Sequence, residues 1–415
     1  MAPPLSTSAG SGPYYSAAPY RFFDFLTRKA GNASSKPLAL DLPAGADPDY
    51  ADLKRKLLWR GGGPEQGRFL SVFMDQNNRC NLKCRMCGFS DARVAKLPKY
   101  DMPRRLFDSI AEQVFPHTNI LVLSILTEPF MTRDFPDRLA RVREFGVPNS
   151  EIITNGTLLN EQNIEKILDA GITCLTFSID GGTAETYEAI RTGARFEQVM
   201  SNLRLFQSIR TNRSAILTQL RINHVLSELN IDQFDAFLTL VSEIQPEKIG
   251  VRTVSRMSDA LIQESSDPVF WEKVRAVGKR LATFCERTGI EDAGYLRDRP
   301  TLIDLFGDAG EKLICRAPWE NLAIHANGDV YPCMAWTRRP IGNLTRHSFA
   351  DIWRGSELAA LRREFEAVQP GLDCLNCTIR RELKADPDDD FFYRKVAKPF
   401  EIPASLDGKT REDPT

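Results

Sequence analysis

From about residue 69 the chain alternates short runs of β-branched and aliphatic residues with longer segments whose apolar positions recur every three or four residues. Runs of the first kind predict strands and the second kind predicts amphipathic helices, so the alternation predicts βα units around a parallel sheet. Strands are expected at 69–74, 120–125, 151–154, 173–179, 218–225 and 248–254. Between them, Asp101 is placed to cap a helix with Pro103 in its first turn and Phe107, Ile110 and Val114 on one face. Asn160 caps another, which runs through Ile164, Ile167 and Leu168 to Gly171. Val199, Leu203 and Phe206 mark a third stripe; Phe234, Phe237, Leu238 and Val241 mark a fourth; 268–287 reads as one long helix.

Consecutive βα units with right-handed crossovers curl into a partial (β/α)6 TIM-like barrel, whose chemistry belongs in the loops after the strand C-termini. The expected organisation is an N-terminal leader and helical extension over 1–68, a partial barrel over 69–260, a linking helix region over 261–314, a small domain over 315–380 and a tail over 381–415. The first nineteen residues are rich in Pro, Ser, Gly and Ala, which predicts a flexible leader.

Composition narrows the partners. Hydrophobic residues make up 42% and charged residues 26% of the 415, the profile of a packed globular chain. Lys and Arg total 54 against 55 for Asp and Glu, so electrostatics gives no case for nucleic acid or a polybasic membrane contact. No apolar run approaches the roughly 18 residues of a membrane span, and no export signal is visible, so a cytoplasmic location is expected.

The nine cysteines change the picture. Cys80, Cys84 and Cys87 share one loop, Cys315, Cys333, Cys374 and Cys377 lie toward the C-terminus, and Cys174 and Cys285 stand alone. Clumped thiols in a reducing compartment point to metal rather than disulfides. Three thiolates on a short loop, with no fourth thiol or histidine nearby, suit an iron–sulfur cluster with one iron open to another molecule. Zinc is the rival, but structural zinc requires four closed ligands.

The spacing Cys80-Asn-Leu-Lys-Cys84-Arg-Met-Cys87 after the first strand of a six-unit barrel resembles the radical S-adenosylmethionine (SAM) superfamily. The resemblance implies a 4Fe-4S cluster on these three cysteines, with SAM chelating the open iron and yielding a 5′-deoxyadenosyl radical that takes a hydrogen atom from the substrate. Thr127-Glu128-Pro129 stands where the family has Gly-Glu-Pro, implying that Glu128 receives the SAM ammonium. Thr154-Asn155-Gly156 ends the third strand and Ser178-Ile179-Asp180-Gly181 the fourth, followed by Tyr187 and Arg191. By resemblance, Asn155, Ser178 and Asp180 belong to the cofactor site, with Ser178 on the ribose, Arg191 on the carboxylate, and Asn223 and Val251 beside the adenine.

The run from Cys315 through Gly328-Asp-Val-Tyr-Pro-Cys333, Ile352-Trp353 and Cys374-Leu-Asn-Cys377 resembles the SPASM and twitch domains attached to many such enzymes. Four thiols imply one auxiliary 4Fe-4S cluster, with a zinc ribbon as the alternative. Cys285 and Cys174 read as buried small residues, and as candidate hydrogen donors if the reaction is an epimerisation. Of the four histidines, only His224 is expected at the barrel mouth.

The resulting expectation is an oxidoreductase or epimerase acting on a small polar substrate, sugar-like or aminocyclitol-like, with a low-potential electron donor such as flavodoxin or ferredoxin. A maturase of a ribosomally made peptide and a non-catalytic zinc- or cluster-binding adaptor are the alternatives.

Overall fold

A computed structural model of the protein describes residues 68–366, apart from breaks at 97, 125, 214–217, 255–266, 294–295, 297–313, 316, 335 and 337–338, together with 393–394. The leader over 1–67, the second thiol pair Cys374 and Cys377, and most of the tail lie outside the described residues, and only the backbone of Cys315 is described.

The expected strands form: β1 (Leu70–Met74), β2 (Thr118–Val122), β3 (Asn149–Thr154), β4 (Cys174–Ser178), β5 (Gln219–Leu226) and β6 (Lys248–Thr253). They stand side by side in chain order, every neighbouring pair parallel. The helices between them are α1 (Arg104–Val114), α2 (Phe135–Glu144), α3 (Glu161–Asp169), α4 (Ala184–Ile190), α5 (Phe196–Asn212) and α6 (Phe234–Ile244), followed by α7 (Pro268–Thr288).

Strand alternation sorts the side chains onto two faces. Phe177 of β4 meets Phe206 of α5, and His224 of β5 stacks on Phe237 of α6 at 3.9 Å between ring centroids. This helix-covered face carries Leu175, Leu220, Ile222, Ile249 and Val251, all fully buried. The opposite, inner face carries Glu151, Cys174, Thr176, Ser178, Arg221 and Asn223, brought together by register. Among the described residues the sheet does not close on itself.

Two helix ends illustrate local sequence at work. Asn160 caps α3 through its side chain, which accepts from Asn163 N, and Gly171 closes it at φ +68°. Asp101 behaves otherwise: α1 begins at Arg104 without a side-chain cap, and the Asp101 carboxylate accepts from Arg79 and Thr132 instead. A charge-assisted pair with a guanidinium outcompetes a backbone cap.

The sheet also has members that the six-unit reading omitted. After α7 come β7 (Glu291–Asp292), parallel to β6, then β8 (Ile314–Cys315), β9 (Asn321–Ile324), β10 (Asp329–Tyr331) and β11 (Gly342–Asn343). β12 (Tyr393–Arg394) pairs with β8 in a separate two-stranded sheet. β9 runs parallel to β1, with Ser71 opposite Asn321 and Met74 opposite Ile324, so the strand order is β11-β10-β9-β1-β2-β3-β4-β5-β6-β7. The hairpin carrying Gly-Asp-Val is therefore an extension of the barrel sheet.

Behind it, α8 (Phe349–Arg354) opens on a Ser348–Asp351 capping box and packs Trp353 5.4 Å from Phe69. Arg362 of α9 (Ser356–Glu366) lies over the Trp353 ring at 4.5 Å.

Candidate functional site at the strand C-termini

The loop leaving β1 is pinned before it reaches the cysteines. Asn77 donates to the Glu128 carbonyl at 2.9 Å and to Thr132 at 2.9 Å, and Arg79 reaches both carboxylate oxygens of Asp101 at 2.6 Å. Farther on, Lys83 N donates to Thr192 O at 3.0 Å and Arg85 N to Ile190 O at 2.9 Å, so Cys84 is held between two backbone bonds to the end of α4. Of these buttressing residues, only Asp101, as a helix cap, and Glu128, as a cofactor contact, were singled out from the sequence. The signal of the others, Asn and Arg just ahead of the first cysteine, is an ordinary loop composition.

Cys80, Cys84 and Cys87 are free thiols. Burial, Glu128 and the other two cysteines push the Cys80 thiol up to about 12, while the Leu82 amide pulls it down. Burial raises Cys84 to about 11 against the opposing pull of Arg191, and raises Cys87 against the Phe89 amide. Donors nevertheless aim at the sulfurs: Leu82 N at 3.5 Å and Asn155 Nδ2 at 3.7 Å from Cys80 Sγ, and Arg191 Nη1 at 4.0 Å from Cys84 Sγ.

Thiols that burial keeps protonated, yet that N–H groups address as anions, are completed by a cationic centre that binds thiolates. The donor set fits an iron–sulfur cluster. Among the described residues no group of three or more His, Cys, Asp or Glu side chains is placed around a single metal ion; three thiolates around a four-iron cube stand farther apart than ligands of one ion.

Glu128 is fully buried after β2, accepting from Thr154 Oγ1 at 2.8 Å, Asn155 N at 2.8 Å and Phe130 N at 3.3 Å. Burial nonetheless raises its carboxyl to about 7. Thr127, where the family has glycine, uses its hydroxyl to bond Asp75 at 2.9 Å. Asn155 sits between the two groups, its side chain spanning Cys80, Asn81 and Thr157. Ser178 and Asn223 are register neighbours on the inner face, and the side-chain oxygen of Asn223 is buried with no hydrogen-bond partner. Such an orphaned acceptor beside a strand-end hydroxyl fits a polar ligand.

The remaining expected contacts are held as follows. Asp180 is fully buried, one oxygen accepting from Val225 N at 2.8 Å and the other 2.7 Å from Arg191 Nε. The guanidinium of Arg191 thus faces Asp180 on one side and Cys84 on the other. Val251 is opposite His224 on the helix-covered face. His224 is not at the mouth: its Nδ1 lies 2.8 Å from Ile179 O, and burial drops its pKa to about 4.

The lone cysteines lie at the far end of the sheet. Cys174 begins β4, four residues below Ser178, roughly 13 Å along a strand, beside Glu151 and Arg221. Cys285 ends α7 next to Asp292, which pairs with the first half of β6.

One group at the rim was missed. His325 follows β9 as the cluster loop follows β1, and its Nδ1 is 4.0 Å from Asp75 Oδ2. Tyr331 packs edge-on to the imidazole at 4.9 Å. Burial lowers the His325 pKa, with Asp75 and Asp329 pulling it back. The parallel pairing of β9 with β1 creates this neighbourhood, and no local pattern announces it.

Residues 76–239 match the radical SAM superfamily, and residues 315–378 match the SPASM iron–sulfur cluster-binding domain. The chain thus carries a radical SAM domain. More particularly, it joins that domain to a C-terminal SPASM domain, and the groups these domains hold are iron–sulfur clusters and SAM.

The GTP 3′,8-cyclase of Klebsiella pneumoniae (strain 342) is 33% identical over 200 residues, 46% of this chain and 56% of the cyclase. The 7,8-dihydro-6-hydroxymethylpterin dimethyltransferase of Methanocaldococcus jannaschii is 26% identical over 121 residues, 28% of this chain and 24% of that protein. The matches thus span from a quarter to just over half of these relatives.

Among solved structures, SuiB of Streptococcus suis bound to precursor peptide SuiA superposes with a TM-score of 0.55 at 15% identity, covering 90% of this chain and 85% of SuiB. The protein anSMEcpe with bound AdoMet gives 0.54 at 16%, covering 70% and 79%. At such identities the likeness establishes the fold. Among the described residues no helix is long and apolar enough to cross a membrane.

Proposed function

We propose that the protein is a radical SAM oxidoreductase that takes a hydrogen atom from a small polar molecule, sugar-like or aminocyclitol-like, and completes the reaction as a dehydrogenation, the substrate radical giving up its hydroxyl proton to a base at the rim and its second electron to the auxiliary cluster of the SPASM domain. The observation that carries this reading is the His325–Asp75 pair, set by the β1–β9 pairing at the same strand-end rim as Cys80, Cys84 and Cys87. Two curated relatives, a GTP cyclase and a pterin dimethyltransferase by name, also act on small molecules.

When bound, the cluster and SAM supply a hydrogen-abstracting 5′-deoxyadenosyl radical. The chain's own residues do the rest. Glu128 and Asn155 receive the polar end of SAM, and Ser178 with Asn223 meets its nucleoside part. His325, its pKa lowered by burial and its Nδ1 4.0 Å from Asp75 Oδ2, stands at the rim as the base for a substrate hydroxyl proton. Epimerisation by thiol is disfavoured because Cys174 and Cys285 lie at the opposite end of the strands. A flavodoxin or ferredoxin remains the expected electron donor.

The test is anaerobic turnover with SAM and dithionite, offering myo-inositol, glucosamine, 2-deoxystreptamine and, separately, synthetic precursor-type peptides. A polyol or aminocyclitol should raise 5′-deoxyadenosine above background with a trappable new carbonyl, and His325→Gln should cut carbonyl formation more than 5′-deoxyadenosine. Stimulation by peptides alone would overturn the small-molecule reading.

A further inference from the structure

Arg191 and Tyr187 have no place in the substrate reading, yet they are among the most enclosed polar groups of the protein. Tyr187 is 0% and Arg191 7% exposed. Both rise from α4, the helix to which the cluster loop is bonded at Lys83 and Arg85. Arg191 N donates to Tyr187 O at 2.8 Å, which fixes one relative to the other. Arg191 then divides its guanidinium, Nε against Asp180 Oδ2 at 2.7 Å and Nη1 toward Cys84 Sγ at 4.0 Å. The Tyr187 hydroxyl is buried with no partner within the protein. Gly181 permits this packing, since a Cβ there would lie 2.5 Å from Tyr187 N.

A buried phenol with nothing to bond is costly unless something outside the protein's own atoms receives it. The ionisable groups around it are Arg191, Asp180, Cys84 and Glu188, none of them in a hydrogen bond with the hydroxyl. Hydrogen bonds and positive charge at the sulfurs of an iron–sulfur cluster favour its reduced, more negative state and raise its potential. We infer that Arg191 and Tyr187 form a donor wall behind Cys84 that sets the reduction potential of the SAM-binding cluster, with Asp180 holding the guanidinium in place. In this role Arg191 is a positioning residue for the cluster, and the SAM carboxylate is held elsewhere.

The inference rests on Cys80, Cys84 and Cys87 being cluster ligands. Iron content and an electron paramagnetic resonance signal that changes on adding SAM, both measured first on the unaltered enzyme, test that foundation separately. Redox titration of that signal then compares Tyr187→Phe and Arg191→Lys with the unaltered enzyme. Tyr187→Phe removes a hydroxyl that bonds to no protein group, so folding and iron content stay intact. Its potential should fall, and that of Arg191→Lys should fall further, by roughly tenfold in the reduction equilibrium or about 59 mV for one electron.

SAM affinity of Arg191→Lys should match the unaltered enzyme. Unshifted potentials in both variants at full iron content overturn the inference, as does loss of iron from Arg191→Lys beside an unshifted Tyr187→Phe. A lowered SAM affinity with an unshifted potential in Arg191→Lys returns that residue to the carboxylate role and equally overturns it.

Discussion

Replacing Glu128 with Gln tests the electrostatics of the cofactor site most directly. The Glu128 carboxyl climbs from its ordinary 4.5 to about 7 in the folded protein because burial outweighs its three donors. At 1.36 kcal/mol per unit this corresponds to about 3 kcal/mol. A carboxyl with a raised folded pKa favours folding most below its unfolded pKa, and that contribution is lost as pH rises from 4.5 through 7. The protein without SAM should therefore lose about 2–3 kcal/mol of stability through this group between pH 5 and pH 8. Glu128→Gln cannot ionise and lacks this dependence, although its amide faces one of the donors from Thr154 and Asn155 at a fixed cost of about 1–3 kcal/mol.

Anaerobic urea unfolding followed by tryptophan fluorescence at both pH values measures the two slopes. Parallel slopes would refute the reasoning, because they would mean that Glu128 is not the buried acid described. SAM affinity supplies a second readout: losing a hydrogen bond to a charged group should weaken binding about 10–100-fold.

Four further substitutions probe the framework. Cys174→Ser and Cys285→Ser should leave both 5′-deoxyadenosine and product formation near the unaltered level; product loss with continued SAM cleavage would identify a hydrogen donor. Trp353→Ala should cost about 3–5 kcal/mol in unfolding free energy, since the ring fills the space between Phe69 and Arg362. Gly182→Ala places a Cβ 2.3 Å from the backbone of Ala236 and Phe237; it should destabilise by about 1–3 kcal/mol or more and push α6 away from the loop after β4.

The barrel was legible because its signals are local. Apolar runs, the Asn160 cap and the glycine at 171 each act within one element, and the six strands form with ends shifted by two or three residues at most. The cysteine triplet was equally legible, since three residues on one loop need no long-range knowledge to be neighbours. What local pattern does not announce is where two distant segments decide a side chain's surroundings: Arg191 lies between Asp180 and Cys84, and register puts Val251 beside His224 on the helix side. Strand alternation says that successive residues oppose each other; it does not say which set faces the helices.

The β1–β9 pairing has a consequence for how the two cysteine-bearing regions work together. Both the loop to Cys80 and the hairpin to Cys333 leave neighbouring parallel strands, and Asp75 N bonds Ile324 O at 3.0 Å where they part. A parallel pair in the middle of a sheet cannot slip without turning every side chain to the other face. Phe69, at the other end of β1, is braced by Trp353. The separation of the SAM-binding loop from the start of the auxiliary region is thus set by sheet register rather than by a linker. The rim is thus bounded by two walls in fixed register, with His325 and Asp75 at the seam.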